Sequence, residues 1–338
     1  MIIAAIDHAL ATGARLTAAC GIVGLSARTL QRWRRRPDGD DLRRGPQRRP
    51  GNALTAEETQ QVLALMTSSR YAALSPKQLV PELADEGLYL ASESTMYRLR
   101  KRLGLRCSNT SPTRTQVARA SVVHRATGPN QVWSWDITYL PTTVRGRFLY
   151  LYLIMDVWSR RIVGWEVFER ESAHHAAQLF ARVCGETGID PAGLVLHSDN
   201  GGPMRGSTMV ATLQWLGVVP SFSRPHVSND NPYSEALFRT LKYAAAYPKL
   251  PFAGRDTATR WVERFVAWYN AEHHHSGIRY VTPDDRHAGR DAAILARRHA
   301  LYTSARTANP ERWSRSTRNW APVGHVILHP ASLIAAAA

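Results

Sequence analysis

The 338-residue chain has only three cysteines, Cys20, Cys107 and Cys184, far apart and with no CxxC pair. That argues against a disulfide framework or a zinc–thiolate site and suits a reducing cytosol. No apolar run approaches membrane-spanning length without charges, and the opening "MIIAAIDHALATGARL" lacks the charged leader of a secretory signal. No long Lys/Arg helix with a broad apolar face supports a membrane-surface binder, and no heptad run marks a coiled coil. Gly201–Gly202 is too short for a phosphate-binding glycine loop, and no Ser/His/Asp or Cys/His hydrolase pattern stands out. Negative charge is scarce: 27 Asp and Glu face 43 Lys and Arg, a net +16.

What the chain does have is a globular composition, 44% hydrophobic, long enough for two or three domains. The positive surplus points to a polyanionic partner, nucleic acid first. Residues 1–130 carry 20 Lys and Arg against 10 Asp and Glu, and residues 131–338 carry 23 against 17. The first part is the more polyanion-seeking.

Residues 1–36 hold a helix-turn-helix candidate. Leu16, Ala19, Cys20 and Val23 have helical spacing, Gly24 breaks the run, and Ser26 can cap a second helix with Leu30 and Trp33 inward. Arg28 and Arg32 then face outward as candidate DNA contacts. Residues 37–52 are a basic Pro/Gly linker. Residues 53–104 give three helical stretches and a second helix-turn-helix. In its last helix Met96, Leu99 and Leu103 form the buried stripe, and Thr95, Arg98, Lys101 and Arg102 point outward. Residues 105–130 read as an extended connector. Residues 131–290 read as three strands, a helix, a strand, a helix, a strand and helices, a mixed α/β sheet. Residues 291–338 look like an irregular basic tail with one short strand near 323–328, its Arg297, Arg298, Arg312, Arg315 and Arg318 solvated or on DNA backbone.

"HSDNGG" (197–202) places Asp199 at the end of the fourth strand, where a turn is the bland reading. Asp136 sits on the first, central strand, among Trp, Ile and Tyr, where a half-buried carboxylate needs a partner or a metal. Glu235 shares one helix face with Arg239 and Lys242 at i, i+4 and i+7, with Leu237, Leu241 and Ala244 on the core face. Three carboxylates from three elements would repel if they converged, so such a cluster calls for a cation. Mg²⁺ suits it, and two ions about 4 Å apart serve phosphodiester chemistry. Arg239 and Lys242 would hold adjacent phosphates.

"WSWDITYL", "LIMDVWSRRIVGW", "HSDNGGPMRG", "RPHVSNDNPYSEALFRTLK" and "WYNAEHHHSGIRYVTP" closely resemble the catalytic motifs of bacterial insertion-sequence transposases of the second-reading-frame (OrfB) type, related to retroviral integrases. The likeness runs from about 131 to 290. Both Asp contexts, the 35 residues between Asp199 and Glu235, and Lys242 seven positions later all match. The resemblance implies an RNase H-like core preceded by all-α helix-turn-helix arms, and the acid triad Asp136, Asp199 and Glu235. It implies cleavage and strand transfer at the element's terminal inverted repeats with two Mg²⁺ ions, for which Mn²⁺ could substitute. Double-stranded DNA, a homo-oligomer on that DNA and an upstream reading-frame product are the implied partners, in a bacterial, nucleoid-associated cytoplasmic setting. A DNA-binding regulator with a relic core and an RNase H-like nuclease are the alternatives.

Other residues read as structural. Asp156 ends the second strand, and Asp230 or Asn231 caps the helix bearing Glu235. His226 and Asn231 flank the site and could touch DNA. His174–His175 and His273–His275 lack Cys partners and the geometry of a zinc site. Trp261, Phe265 and Trp268–Tyr269 are spaced for packing against the sheet.

Overall fold

The computed structural model describes residues 2–35, 53–103, 124–223, 231–244 and 246–328. Linker 37–52, most of the 105–130 connector, His226 and Asp230 lie outside the described residues. Contacts divide the chain into two units, Met1–Ala53 and Leu54–Ala338. No described helix is long and apolar enough to cross a membrane.

The first unit has three short helices, α1 (Ile2–Ala11), α2 (Leu16–Ile22) and α3 (Ala27–Arg34). They close over Ile6, Ala19, Cys20 and Leu30. Gly24, at φ +66°, makes the α2–α3 turn in the left-handed region that glycine enters freely. Ser26 Oγ accepts the Thr29 N–H at 3.1 Å and starts α3. Helix α1 is an addition to the two expected. Leu30 turns inward, but Trp33 and Val23 remain 38% and 40% exposed. A core this small covers little more than one turn of each helix.

The second unit opens with α4 (Ala56–Thr67), α5 (Pro76–Asp85) and α6 (Glu93–Arg102). Thr55 and Glu58 cap α4 reciprocally at 2.8 and 3.1 Å, and Ser92 Oγ accepts the Thr95 N–H at 3.3 Å to start α6. Met96 and Leu99 are buried as the stripe requires, but α6 ends at Arg102, and Leu103, one position past the helix as its C-cap, is 48% exposed.

Residues 291–308, expected to be irregular, form helix α13 (Asp291–Ala308). Leu295 and Tyr302, seven apart, face the same way and join Val62, Leu79, Leu83 and Met96 in one core. Of the arginines expected to be solvated or on DNA backbone, Arg297 and Arg315 are exposed as a solvated row would be, but Arg298, Arg312 and Arg318 are engaged. Arg298 is 1% exposed and holds both Asp85 oxygens at 2.7 Å. Arg312 grips Glu58 at 3.0 and 3.1 Å, and Arg318 pairs with Glu93. The helical arm is thereby fastened to the C-terminal segment.

A five-stranded sheet of order β4–β3–β2–β5–β6 forms the rest. Its strands are β2 (Val132–Pro141), β3 (Phe148–Asp156), β4 (Ile162–Phe168), β5 (Val195–Ser198) and β6 (Val219–Phe222). The first three are antiparallel neighbours, and β5 and β6 run parallel to β2. Strand β1 (His124–Ala126), at the end of the expected connector, pairs with β7 (Val326–Leu328). Helices α7 (Ala173–Thr187), α8 (Gly202–Arg205) and α9 (Ser207–Trp215) lie on one face, over Trp133, Trp135, Tyr152 and Phe180. On the other face α10 (Pro232–Lys242) and α11 (Arg255–Ala271) pack Leu237, Leu241, Trp261 and Phe265 against Leu140, Leu151 and Leu153. Cover on both faces explains why β3 reads as a nearly unbroken apolar run. A Cβ on Gly164 would meet Val183 at 2.2 Å, so glycine lets α7 lie close on β4. Asn270 ties α11 to the same strand, its side chain bonding the Ile162 N–H and C=O at 2.9 Å each. A short helix α12 (Pro283–His287) follows α11.

Candidate active site

Two strand registers bring the first acids together. In the parallel β2–β5 pair, Trp135 lies opposite Ser198, and in β5–β6 Ser198 lies opposite Phe222. The next residue along each strand is Asp136, Asp199 and Ser223. These three extend one row across neighbouring chains roughly 4.8 Å apart. Alternation points Asp136 away from Trp133 and Trp135, toward the side on which α10 lies.

The third acid is placed by a buried polar cluster. Ser134, two residues before Asp136 and fully buried, lies 2.5 Å from Asn231 Oδ1 and 2.7 Å from Ser234 Oγ. Asn231 Nδ2 donates to the Trp135 carbonyl at 3.3 Å. Pro232 then starts α10, and Glu235 follows on its first turn. The head of α10 is thus bound to the strand that carries Asp136. Sequence reasoning treats Asn231 as a cap or a DNA contact and passes over Ser134 and Ser234. The legible signal is a serine two residues before the strand carboxylate, on the same strand face, and another just before the helical one.

Electrostatics couples the three. Burial first, and the Asp199 charge second, push the Asp136 carboxyl up to about 7, with Glu235 and Glu171 adding and the Ile137 N–H opposing. Glu235, although at the surface, is raised by partial desolvation and then by Asp199. Among the described residues none of the three makes an ion pair, and no group of three His, Cys, Asp or Glu side chains is drawn together as a ready metal cage. Two of the acids are held by hydrogen bonds instead: Asp136 Oδ1 accepts from the Ile137 N–H at 2.7 Å, and Asp199 Oδ1 from Ser223 Oγ at 2.8 Å. All six carboxylate oxygens are hard donors, the set a divalent ion of the Mg²⁺ type takes, and such an ion would relieve the repulsion.

The candidate DNA contacts fall in three places. Arg239 and Lys242 stand exposed at the end of α10. On α6, Arg98 and Lys101 are exposed, but the Thr95 hydroxyl is already engaged by Ser92 at 3.1 Å and by Arg98 at 3.0 Å. Arg28 and Arg32 are exposed on α3, in the separate first unit.

The rival groups are structural. Asp156 is fully buried and accepts from the Asn130 N–H, the Ser159 N–H and Ser159 Oγ at 2.7, 2.7 and 2.6 Å, closing the β3–β4 turn. His175 stacks on Phe168 at 4.2 Å between ring centres. Burial depresses His273 to about 4 and His275 to about 3. His274 differs: burial lowers it, but hydrogen bonds to Asp85 and Glu82 win and raise it to about 9.

Comparison with known proteins matches residues 126–228 and 216–283 to integrase core domains, and residues 29–99 to a homeodomain-like domain. The transposase for insertion sequence element IS904 of Lactococcus lactis is 35% identical over 164 residues, 48% of this chain and 63% of that protein. The chain therefore spans a little under two thirds of that relative. Transposase InsF for insertion sequence IS3A of Escherichia coli is 28% identical over 234 residues, covering 66% of this chain and 79% of that protein. Among solved structures, a simian T-cell lymphotropic virus intasome chain aligns at 17% identity and a TM-score of 0.42, over 63% of this chain and 74% of that one.

Proposed function

We propose that the chain is an insertion-sequence transposase of the DDE, integrase-core type, which cuts DNA at its element's terminal inverted repeats and joins the freed ends to a target. The observation that carries this reading is the strand register that sets Asp136 and Asp199 in one row, with the head of α10, which carries Glu235, bound to the same strand in an otherwise cationic protein.

The carboxylates of Asp136, Asp199 and Glu235 would hold two Mg²⁺ ions, or Mn²⁺ in their place, supplying charge neutralisation at a scissile phosphate and activation of the attacking oxygen. The chain's own residues do the rest. The buried Ser134–Asn231–Ser234 cluster keeps α10 against β2, so the acids share one edge of the sheet. Arg239 and Lys242 hold flanking phosphates by charge. In the first reaction water attacks the phosphodiester at the element's end, and the 3′-oxygen leaves as a hydroxyl. In the second that hydroxyl attacks a target phosphorus, a new phosphodiester forms, and the target's 3′-oxygen leaves. No covalent link to the protein is needed in either step.

Arg28 and Arg32 of α3, and Arg98 and Lys101 of α6, are the proposed readers of the terminal repeat, with Thr95 confined to starting its helix. Two ends must be joined, so a homo-oligomer on DNA is proposed, in the bacterial cytoplasm, with an upstream reading-frame product as a further candidate partner. The test is a labelled duplex bearing the flanking repeat, incubated with full-length protein and Mg²⁺. Nicked 3′ ends followed by joined products support the reading. Cleavage of an RNA–DNA hybrid with no joined product favours a nuclease, and repeat binding with no chemistry favours a regulator.

A further inference from the structure

Asp199 ends a line of hydrogen bonds that starts 75 positions earlier, at His124. Ser223 Oγ lies 2.8 Å from Asp199 Oδ1, and His197 Nε2 lies 3.4 Å from Ser223 Oγ. Ser221 Oγ lies 2.9 Å from His197 Nδ1 and 2.9 Å from His124 Nε2. Period-2 alternation builds the line. His197 and Asp199 share one side of β5 and its extension, and Ser221 and Ser223 share one side of β6. His197 is fully buried and Ser223 is 6% exposed. The Ser223 N–H donates to the Ser198 carbonyl at 2.9 Å, and the Asn200 amide donates to the Ser223 carbonyl, so the hydroxyl's backbone is held on both sides.

Donor and acceptor capacity gives this line one direction. An ionised carboxylate only accepts, so Ser223 gives Asp199 its single proton. Ser223 Oγ is then left to accept from His197, which must carry its proton on Nε2. His197 Nδ1 in turn accepts the Ser221 proton, and Ser221 Oγ accepts from His124 Nε2–H. With His197 neutral, each link is satisfied in this order, and reversing any one of them leaves two acceptors facing each other.

We infer that Ser223, backed by His197, is a positioning residue that fixes the Asp199 carboxylate through Oδ1 and leaves Oδ2 free for a divalent ion. This rests on Asp199 being an acid of the reacting centre, as proposed above. Outer partners that orient a ligating carboxylate are typically worth 10–100-fold in metal affinity or activity.

The experiment uses full-length protein with Ser223→Ala and the hydroxyl-keeping Ser223→Thr. Mn²⁺ binding is read by calorimetry, joining by the labelled-duplex assay, and the His197 tautomer by ¹⁵N spectra of histidine-labelled protein, its signal assigned by loss in His197→Gln. The expected result is about a 10–100-fold loss of Mn²⁺ affinity and joining in Ser223→Ala, with recovery to within a few-fold in Ser223→Thr. The wild type shows His197 protonated on Nε2, a bias that relaxes in Ser223→Ala. Wild-type Mn²⁺ affinity in Ser223→Ala overturns the inference, and so does an Nδ1–H tautomer in the wild type even if the alanine variant fails to fold. If the wild type neither joins DNA nor binds Mn²⁺, the activity reading fails, and the tautomer alone judges the hydrogen-bonded line.

Discussion

Ser134 on the central strand and Asn231 at the head of α10 meet at 2.5 Å in a fully buried contact, and this joint holds the helix of Glu235 to the strand of Asp136. Ser134→Ala leaves Asn231 Oδ1 and Ser234 Oγ without that partner. An unsatisfied buried polar group costs about 1–3 kcal/mol. Urea melts should show a loss in that range, and DNA joining should fall at least tenfold because Glu235 is no longer fixed beside Asp136. Joining at the wild-type rate would mean that the cluster is not what places the helix.

Asp136 should destabilise the ion-free protein. Its folded pKa, about 7, lies above the ordinary carboxylate value of 3.8, so protonation favours the folded state. Stability associated with this group is full below 3.8 and is lost as pH rises through 7. Asp136→Asn should therefore melt higher than wild type at pH 8 without divalent ions, by several degrees, and lose all joining. Adding Mg²⁺ should raise the wild-type midpoint far more than the variant's. A variant that melts lower at pH 8 would refute the repulsion argument.

Much of this centre is legible in the sequence, and the reason is periodicity. Strand alternation around Asp136 and the i, i+4, i+7 face of Glu235, Arg239 and Lys242 are local, and the structure keeps both. Long-range pairing is not local. Nothing near Arg298 announces that it would be buried on Asp85, 213 positions away, or that "DAAILARRHALYTSARTA" would be an arm-binding helix rather than a tail. Likewise, Ser134 and Ser234 gain meaning only when β2 and α10 meet.

The joint between the helical arm and the C-terminal segment should be pH-sensitive. His274, raised to about 9 by Asp85 and Glu82 against the pull of burial, titrates near 6.5 when unfolded. Its contribution is complete below 6.5 and is lost as pH rises through 9. Thermal midpoints should fall between pH 6.5 and 9.5, and His274→Gln should flatten that slope. Equal slopes for the two proteins would place the pH dependence elsewhere.

Lys242 is exposed at the end of α10, and its role in the proposal is purely electrostatic. Lys242→Ala should weaken DNA binding about equally for specific and random duplexes and reduce the salt slope of log K by about 1. An unchanged slope would remove Lys242 from the phosphate contacts.

The decisive measurement is strand transfer by full-length Asp199→Ala beside wild type, with Mg²⁺ and a labelled duplex carrying the flanking repeat. Wild type should yield joined product, and Asp199→Ala should bind the duplex with unchanged affinity yet yield none. Joined product from Asp199→Ala at a rate near wild type would contradict the assignment and return Asp199 to an ordinary turn residue after β5.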